Sequence, residues 1–169
     1  MSKIYVYMAG PITDNTESQA NNWRSWFADE LKRYTDGRIV GVSPLRCEPL
    51  HGDRYAPEYA DTRFGTPAAI SAKNKEDVRR CDITVAYIPV DVAEDVGHIS
   101  IGTLCELNWA YCFNKPCILV SDVDYVRNNA VVAGITPWRF KETGPMDHGL
   151  WGLNQALDVI IGIYGVYSG

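Results

Sequence analysis

The residues of this sequence best suited to covalent chemistry are a glutamate, a tyrosine and an asparagine–aspartate pair. Glu106 sits in the run Gly102-Thr103-Leu104-Cys105-Glu106-Leu107, Tyr7 in Ile4-Tyr5-Val6-Tyr7-Met8-Ala9, and Asn74 and Asp77 in one polar stretch. Chemistry at an acetal-like carbon needs an anion aimed at that carbon and a donor for the leaving group, and this set supplies both. Glu106 also has a purely structural explanation. Thr103-Leu104-Cys105-Glu106 fits the S/T-x-x-E capping box, in which the glutamate only returns a hydrogen bond to the cap residue. Spacing alone favours the cap. A helix start also favours an ionised carboxylate, by about 0.3–1 kcal/mol, so the position suits an anionic nucleophile as well. Both readings stay open at this level.

Positioning these groups requires a particular set of elements. Ile4 to Ala9 is a β-branched and aromatic run closed by Gly10-Pro11, which predicts a first strand and a tight turn. Trp23, Trp26, Phe27, Leu31 and Tyr34 recur at helical spacing, predicting an amphipathic helix from Asn15 to Tyr34 with Asp14 and Asn15 as caps. A second short strand follows at Arg38–Val42. Ser43 to Thr66 is polar, rich in Pro, Gly and Tyr and without period, and a loop of that length is usually functional. Pro67 suits the first turn of a helix reaching about Arg80. Ile83–Ile88 is the near-continuous apolar run of a central strand covered on both faces, stopped by Pro89. An acidic loop from Val90 to Ile101, a helix at Thr103–Phe113, strands at Cys117–Val120 and Trp138–Phe140, and a last helix at Leu150–Tyr164 complete the pattern. The alternation predicts an α/β fold with an open parallel sheet of about five strands flanked by helices. Ligands of such sheets bind beyond the carboxyl ends of the strands, where the loops after Ala9, Val42, Ile88 and Val120 would gather.

Composition narrows the class. A chain of 169 residues holds one domain with a real core, so 1–169 is read as a single domain. The 16 Lys and Arg against 21 Asp and Glu are scattered, which argues against a nucleic-acid surface. Neither a membrane-length apolar run nor a signal-peptide pattern is present, and the expected location is the cytoplasm. The cysteines Cys47, Cys81, Cys105, Cys112 and Cys117 are an odd number without a C-x-x-C pair, and read as small core residues of a reducing compartment. His51, His98 and His148 are too scattered for a zinc site, and no metal is expected.

Four ordered segments carry a resemblance: Ile4-Tyr5-Val6-Tyr7-Met8-Ala9-Gly10-Pro11, Cys81-Asp82-Ile83-Thr84-Val85-Ala86-Tyr87-Ile88-Pro89, Gly102-Thr103-Leu104-Cys105-Glu106-Leu107-Asn108-Trp109-Ala110-Tyr111 and Asn114-Lys115-Pro116. In that order they resemble the nucleoside 2-deoxyribosyltransferase family over most of the chain. The resemblance implies a flavodoxin-like sheet, no metal or organic cofactor, and a homo-oligomer with active sites shared between subunits. It implies that Glu106 attacks C1′ of a 2′-deoxynucleoside to form a covalent deoxyribosyl ester, which a second free nucleobase then displaces. Tyr7 matches the tyrosine that orients the nucleophile, although a strand-end aromatic packed on the core fits the residues equally. Asn129, in Asn129-Ala130-Val131-Val132-Ala133-Gly134, matches an asparagine that a neighbouring subunit sends into the site; its alternative is an ordinary turn residue. Gly10 and Gly102 join the substrate-binding set through their motifs.

Two departures bear on the substrate. Many members carry an aspartate eight residues before the position of Asp82, and here that residue is Asn74, which can hydrogen-bond a base edge but has no proton to give at neutral pH. Asp77 is the fallback, against a solvated helix face as its plain reading. Six residues before Glu106, where transferases commonly bind the 5′-hydroxyl with an aspartate, this sequence has Ser100, similar to the 2′-deoxynucleoside 5′-phosphate N-hydrolases. A hydroxyl with nearby N–H groups can receive a 5′-phosphate. Those hydrolases usually carry an arginine after the first strand's glycine, and Gly10-Pro11-Ile12-Thr13-Asp14 offers none, while Asp95 in Glu94-Asp95-Val96-Gly97 resembles the acidic Asp-Val-Gly that some transferases have closer to the nucleophile, which implies it as the hydroxyl-binding carboxylate. The expected substrates are therefore a free deoxynucleoside and a nucleobase. A 5′-monophosphate N-glycosidase using the same glutamate, and a non-catalytic nucleotide-binding module with Glu106 as a cap, are the alternatives. Asp53, Arg54 and Phe64 of the middle loop are candidates to read or stack on the base, and Tyr167 is a weak candidate from the C-terminal segment, where a loosely ordered end is the plainer reading.

Overall fold

The structure is a computed structural model that describes residues 2–46, 48, 52–56, 61–89, 99–142 and 151–165. Its strands are β1 (Ile4–Ala9), β2 (Ile39–Val42), β3 (Ile83–Ile88), β4 (Cys117–Ser121) and β5 (Trp138–Phe140). Its helices are α1 (Glu17–Tyr34), α2 (Pro67–Arg80), α3 (Ile101–Cys112), α4 (Asp124–Arg127), α5 (Ala130–Ile135) and α6 (Trp151–Tyr164). All neighbouring strands pair in parallel in the order β2-β1-β3-β4-β5, a flavodoxin-like open sheet. β3 lies at the centre and all six of its residues are buried, which is why it reads as an unbroken apolar run.

Strand periodicity divides the side chains between two layers. Val6, Met8, Val85, Tyr87, Ile118 and Val120 pack on one face against Trp23, Phe27 and Leu31 of α1 and Leu153, Leu157 and Ile160 of α6. Tyr7, Ala9, Ala86, Ile88 and Leu119 pack on the other against Val78 of α2 and Leu107 and Ala110 of α3. Tyr7 is thus sent by parity to the face carrying Asn74 and Glu106, and it pairs in register with Thr84 of β3.

Several boundaries differ from the sequence expectation. Neither Asp14 nor Asn15 caps α1. Thr16 does, in a capping box closed by Gln19, while Asp14 takes a left-handed turn conformation at φ 65°. α3 starts at Ile101 rather than Thr103, because Ser100 caps it. Helices α4 and α5 and a 3-10 turn at Thr62–Phe64 were not expected, being too short to show a period. Cys81 and Cys117 are buried, but Cys105 and Cys112 are exposed, since the buried stripe of α3 is Thr103, Glu106, Leu107 and Ala110. Cys47, His51, His98 and His148 lie outside the described residues. Among the described residues no helix is long and apolar enough to cross a membrane.

Close approach fixes one glycine of α6. A Cβ on Gly152 would lie 2.6 Å from Val120 Cγ1 and 3.0 Å from the Lys141 carbonyl oxygen, whereas one on Gly162 would meet nothing within 4 Å. Gly152→Ala should therefore destabilise the fold by about 1–3 kcal/mol. Gly162→Ala should stabilise it by roughly 0.5–1 kcal/mol through helix propensity. Urea unfolding midpoints of the two variants check the pair, and a neutral Gly152→Ala would contradict the packing.

Candidate active site

Glu106 lies in the second turn of α3, buried at 5% exposure, on the face turned toward β1 and α2. Tyr7 Oη donates to Glu106 Oε1 at 2.7 Å, and Asn74 Nδ2 donates to the same oxygen at 3.1 Å. The strand-end tyrosine, the α2 asparagine and the α3 glutamate therefore meet. Both donors converge on Oε1, and among the described residues none donates to Oε2.

The capping-box explanation does not describe this glutamate. The cap is Ser100, whose Oγ accepts the Thr103 N–H at 3.2 Å, and Glu106 comes three residues after the N3 position that a capping box requires. Thr103 is itself in the helix, and its buried hydroxyl has no hydrogen-bond partner among the described residues.

Burial raises the Glu106 carboxyl to about 7, because an anion loses solvation there. The Tyr7 hydrogen bond opposes that rise most strongly, followed by the charges of Arg24 and Lys73 and the Asn74 hydrogen bond. Arg24 was not expected from the sequence. Its guanidinium is buried and donates to the carbonyls of Met8 at 3.1 Å, Gly10 at 2.9 Å and Ala20, so it clamps the carboxyl end of β1. It also lies 4.6 Å from the Trp23 ring centroid. A signal was present: Ala20, Arg24, Phe27 and Leu31 form one helical stripe, and a charge inside an apolar stripe needs internal partners.

Gly10 belongs to this clamp. A Cβ there would lie 2.9 Å from Trp23 Cζ2 and 3.0 Å from both Arg24 Nη2 and the Tyr87 carbonyl oxygen, so its role in the described structure is close packing. Asp77 is not on a solvated helix face. It is buried, takes a bidentate contact from Arg46 at 2.8 and 2.6 Å, and pairs with Lys73 at 3.2 Å. Its carboxylate is thereby occupied one turn away from Asn74. Gly102 is exposed, with only Ser100 Oγ near its Cβ direction at 3.7 Å. The Asn129 side chain caps α5 by accepting the N–H groups of Val131 at 3.0 Å and Val132 at 3.3 Å, and no hydrogen bond among the described residues joins it to Glu106. Of the loop candidates, Phe64 lies 5.9 Å from Lys73 Nζ, and Arg54 is tied to the Asp14 carbonyl. Asp53 is exposed beside it. Asp95 and Tyr167 lie outside the described residues.

No family model matches the chain, and no curated protein sequence matches it. Among solved structures it is similar to the CMP N-glycosidase BcmB of Clostridium botulinum, at 14% identity and a TM-score of 0.49 over 92% of this chain and 98% of that one. A 2-desoxiribosyltransferase from Leishmania mexicana shares 22% identity at a TM-score of 0.42, over 70% of this chain and 65% of that one. The molybdenum cofactor binding protein from Rippkaea orientalis shares 17% identity at a TM-score of 0.51, over 95% and 99% of the two chains. The last of these likenesses shows a shared fold.

The raised carboxyl of Glu106 ties stability to pH. Its folded value exceeds that of the unfolded chain, so its contribution is fully present below the ordinary carboxylate range and is lost as pH rises through about 7. Glu106→Gln should accordingly match the parent at about pH 4 and exceed it above pH ~8 by up to about 3 kcal/mol, measured by urea unfolding across that range. A difference independent of pH would show that Glu106 does not titrate as its burial requires.

Proposed function

We propose that this chain is an enzyme of the nucleoside 2-deoxyribosyltransferase type, moving a 2-deoxyribosyl group between nucleobases through a covalent ester of Glu106. The carrying observation is the buried carboxylate with Tyr7 and Asn74 both bonded to Oε1, and Oε2 taken by none of the described residues. In this scheme ionised Glu106 attacks C1′ through Oε2. The C1′–N bond breaks, its electron pair leaves with the base, and the base takes a proton. A second base then attacks C1′ through a ring nitrogen whose N–H proton passes to water, the C1′–O ester bond breaks with its electron pair returning to Glu106, and the carboxylate is restored, with net retention after two inversions.

Asn74 aligns the nucleophile in this scheme and gives no proton, so water protonates the departing base. Deoxynucleosides are preferred because an electron-withdrawing C2′ hydroxyl would destabilise an oxocarbenium-like transition state. Asp95 is proposed to bind the 5′-hydroxyl. Asn129 is proposed to serve the site of a neighbouring subunit in a cytoplasmic homo-oligomer, and the whole chain is proposed to act as one domain without a cofactor.

One observation favours a second reading. Ser100 caps the amino end of the 12-residue α3 by taking the Thr103 N–H, and the N–H groups of Ile101 and exposed Gly102 have no acceptor among the described residues and suit a phosphate. This supports a 5′-monophosphate N-glycosidase with water as acceptor. Incubation with deoxyadenosine and an acceptor base, in parallel with dAMP, separates the two. Exchanged nucleoside is expected from the first mixture, with a deoxyribosyl adduct in the intact mass that disappears in Glu106→Ala. Turnover of that variant should fall roughly 10³-fold or more, and kcat/KM of the parent should rise with pH through about 7 as Glu106 ionises. Base release from dAMP alone would replace the transferase by the hydrolase. Unchanged nucleoside affinity in Glu106→Ala, with no turnover in either protein, would leave a non-catalytic binding module.

A further inference from the structure

The least ordinary group near Glu106 is a cation. Lys73 has a side chain only 5% exposed, and its ammonium meets three acceptors among the described residues: the Pro44 carbonyl at 2.9 Å, Asp77 Oδ2 at 3.2 Å and Asn74 Oδ1 at 3.3 Å. A lysine so deeply placed needs such partners to offset lost solvation. We propose that Lys73 is a positioning residue: its ammonium holds the side-chain oxygen of Asn74, and so turns the Asn74 NH2 onto Glu106 Oε1, while the Arg46–Asp77 pair fixes the ammonium in place.

The orientation of the Asn74 amide carries the argument. An ammonium has only donors and an ionised carboxylate only acceptors. With Oδ1 toward Lys73 and Nδ2 toward Glu106, both contacts are complementary. Turning the amide over would set two donors together at one end and two acceptors together at the other. Lys73 thus enforces one of two otherwise similar rotamers, and it does so through a residue adjacent to it on α2. Arg46, in the segment after β2, reaches Asp77 with two nitrogens, so the chain of contacts runs from that segment through Asp77, Lys73 and Asn74 to the carboxylate.

Among the described residues, the charged and titratable groups that act on Glu106 come from β1, α1 and α2. Tyr7 faces it from β1, Arg24 acts on it from α1, Lys73 and Asn74 from α2 with Asp77 behind them, and α3 itself carries no other charged residue. Loss of Lys73 removes one positive charge and also frees the Asn74 amide. Both changes disfavour the ionised form of Glu106, and only the second passes through Asn74.

A role for Lys73 in turnover rests on Glu106 as the reacting carboxylate, but the titration of Glu106 is measured without turnover. The pH midpoint of the stability difference between Glu106 and Glu106→Gln is measured by urea unfolding in four backgrounds: parent, Lys73→Met, Asn74→Leu and the double variant. Lys73→Met should move the midpoint up by about one pH unit, and by clearly less in the double variant relative to Asn74→Leu. In the active enzyme, Lys73→Met should lower kcat about tenfold, leave KM within about twofold, and move the acid limb of the rate profile by the same interval. If Lys73→Met does not fold, Lys73→Gln, which keeps an N–H for Asn74, should show a shift of at most about half a unit. An unmoved midpoint in Lys73→Met overturns the proposal, as does a full shift that persists without Asn74 or a full shift in Lys73→Gln. Failure of deoxyribosyl transfer would leave the titration result standing, and an unmoved midpoint in an active enzyme would remove Lys73 alone.

Discussion

Holding a carboxylate inside a packed layer between helix and sheet is the constraint around which this structure is arranged. Glu106 shares its layer with Leu107, Ala110, Ala9 and Ile88, and an unpaired anion among such groups costs several kcal/mol. The compensation is drawn from three different elements. β1 supplies the Tyr7 hydroxyl, α2 supplies the Asn74 amide, and the buried cations Arg24 and Lys73 act at longer range. The compensation is partial, since the carboxyl remains well above its ordinary range. A site balanced in this way is sensitive to small changes in any of the four partners, because each shifts the same equilibrium.

The fold explains why these elements can cooperate. In the strand order β2-β1-β3-β4-β5 the chain leaves β1 toward one edge and returns past it to β3, so α1 and α2 lie on opposite faces. The carboxyl ends of β1 and β3 therefore form the switch point at which open α/β sheets leave a crevice. Arg24 reaches that end of β1 from the α1 side, gripping the carbonyls of Met8 and Gly10, while Tyr7 emerges on the α2 and α3 side. The clamp and the hydroxyl act on the same strand end from opposite layers. Gly10 permits this, since any side chain there would displace Trp23, Arg24 or the β3 backbone.

Much of the scaffold was legible because its signals are local. β1, β3 and β5 fall where β-branched and aromatic runs place them, and α2 begins at Pro67 as its first-turn proline indicates. Tyr7 and Glu106 could be brought to one edge by topology alone. What was not legible depends on partners distant in sequence. The bidentate grip of Arg46 on Asp77 spans 31 residues, and without it Asp77 looks like any acidic residue on a helix surface. Thr103 and Glu106 satisfy a capping motif in sequence, but Ser100 took the cap, because helix starts are chosen by competition among nearby hydroxyls. Arg24 and Lys73 are ordinary surface residues by type, and only their positions within apolar stripes or among internal acceptors make them otherwise.

The asparagine at position 74 illustrates how much one atom decides. An aspartate in its place would set a second carboxylate about 3 Å from Glu106, a distance at which two such groups do not both ionise readily. One proton would then be shared, and a carboxyl already raised by burial would be raised further. The amide avoids that coupling. It gives Glu106 a donor that does not titrate, held by an ammonium whose counter-ion Asp77 is itself held by Arg46. The same substitution removes a proton source from the position nearest the carboxylate. A glycosyl-transfer reaction here would thus gain a more uniformly ionised nucleophile and lose a side-chain acid. In such a reaction that trade would favour leaving groups that depart without strong protonation.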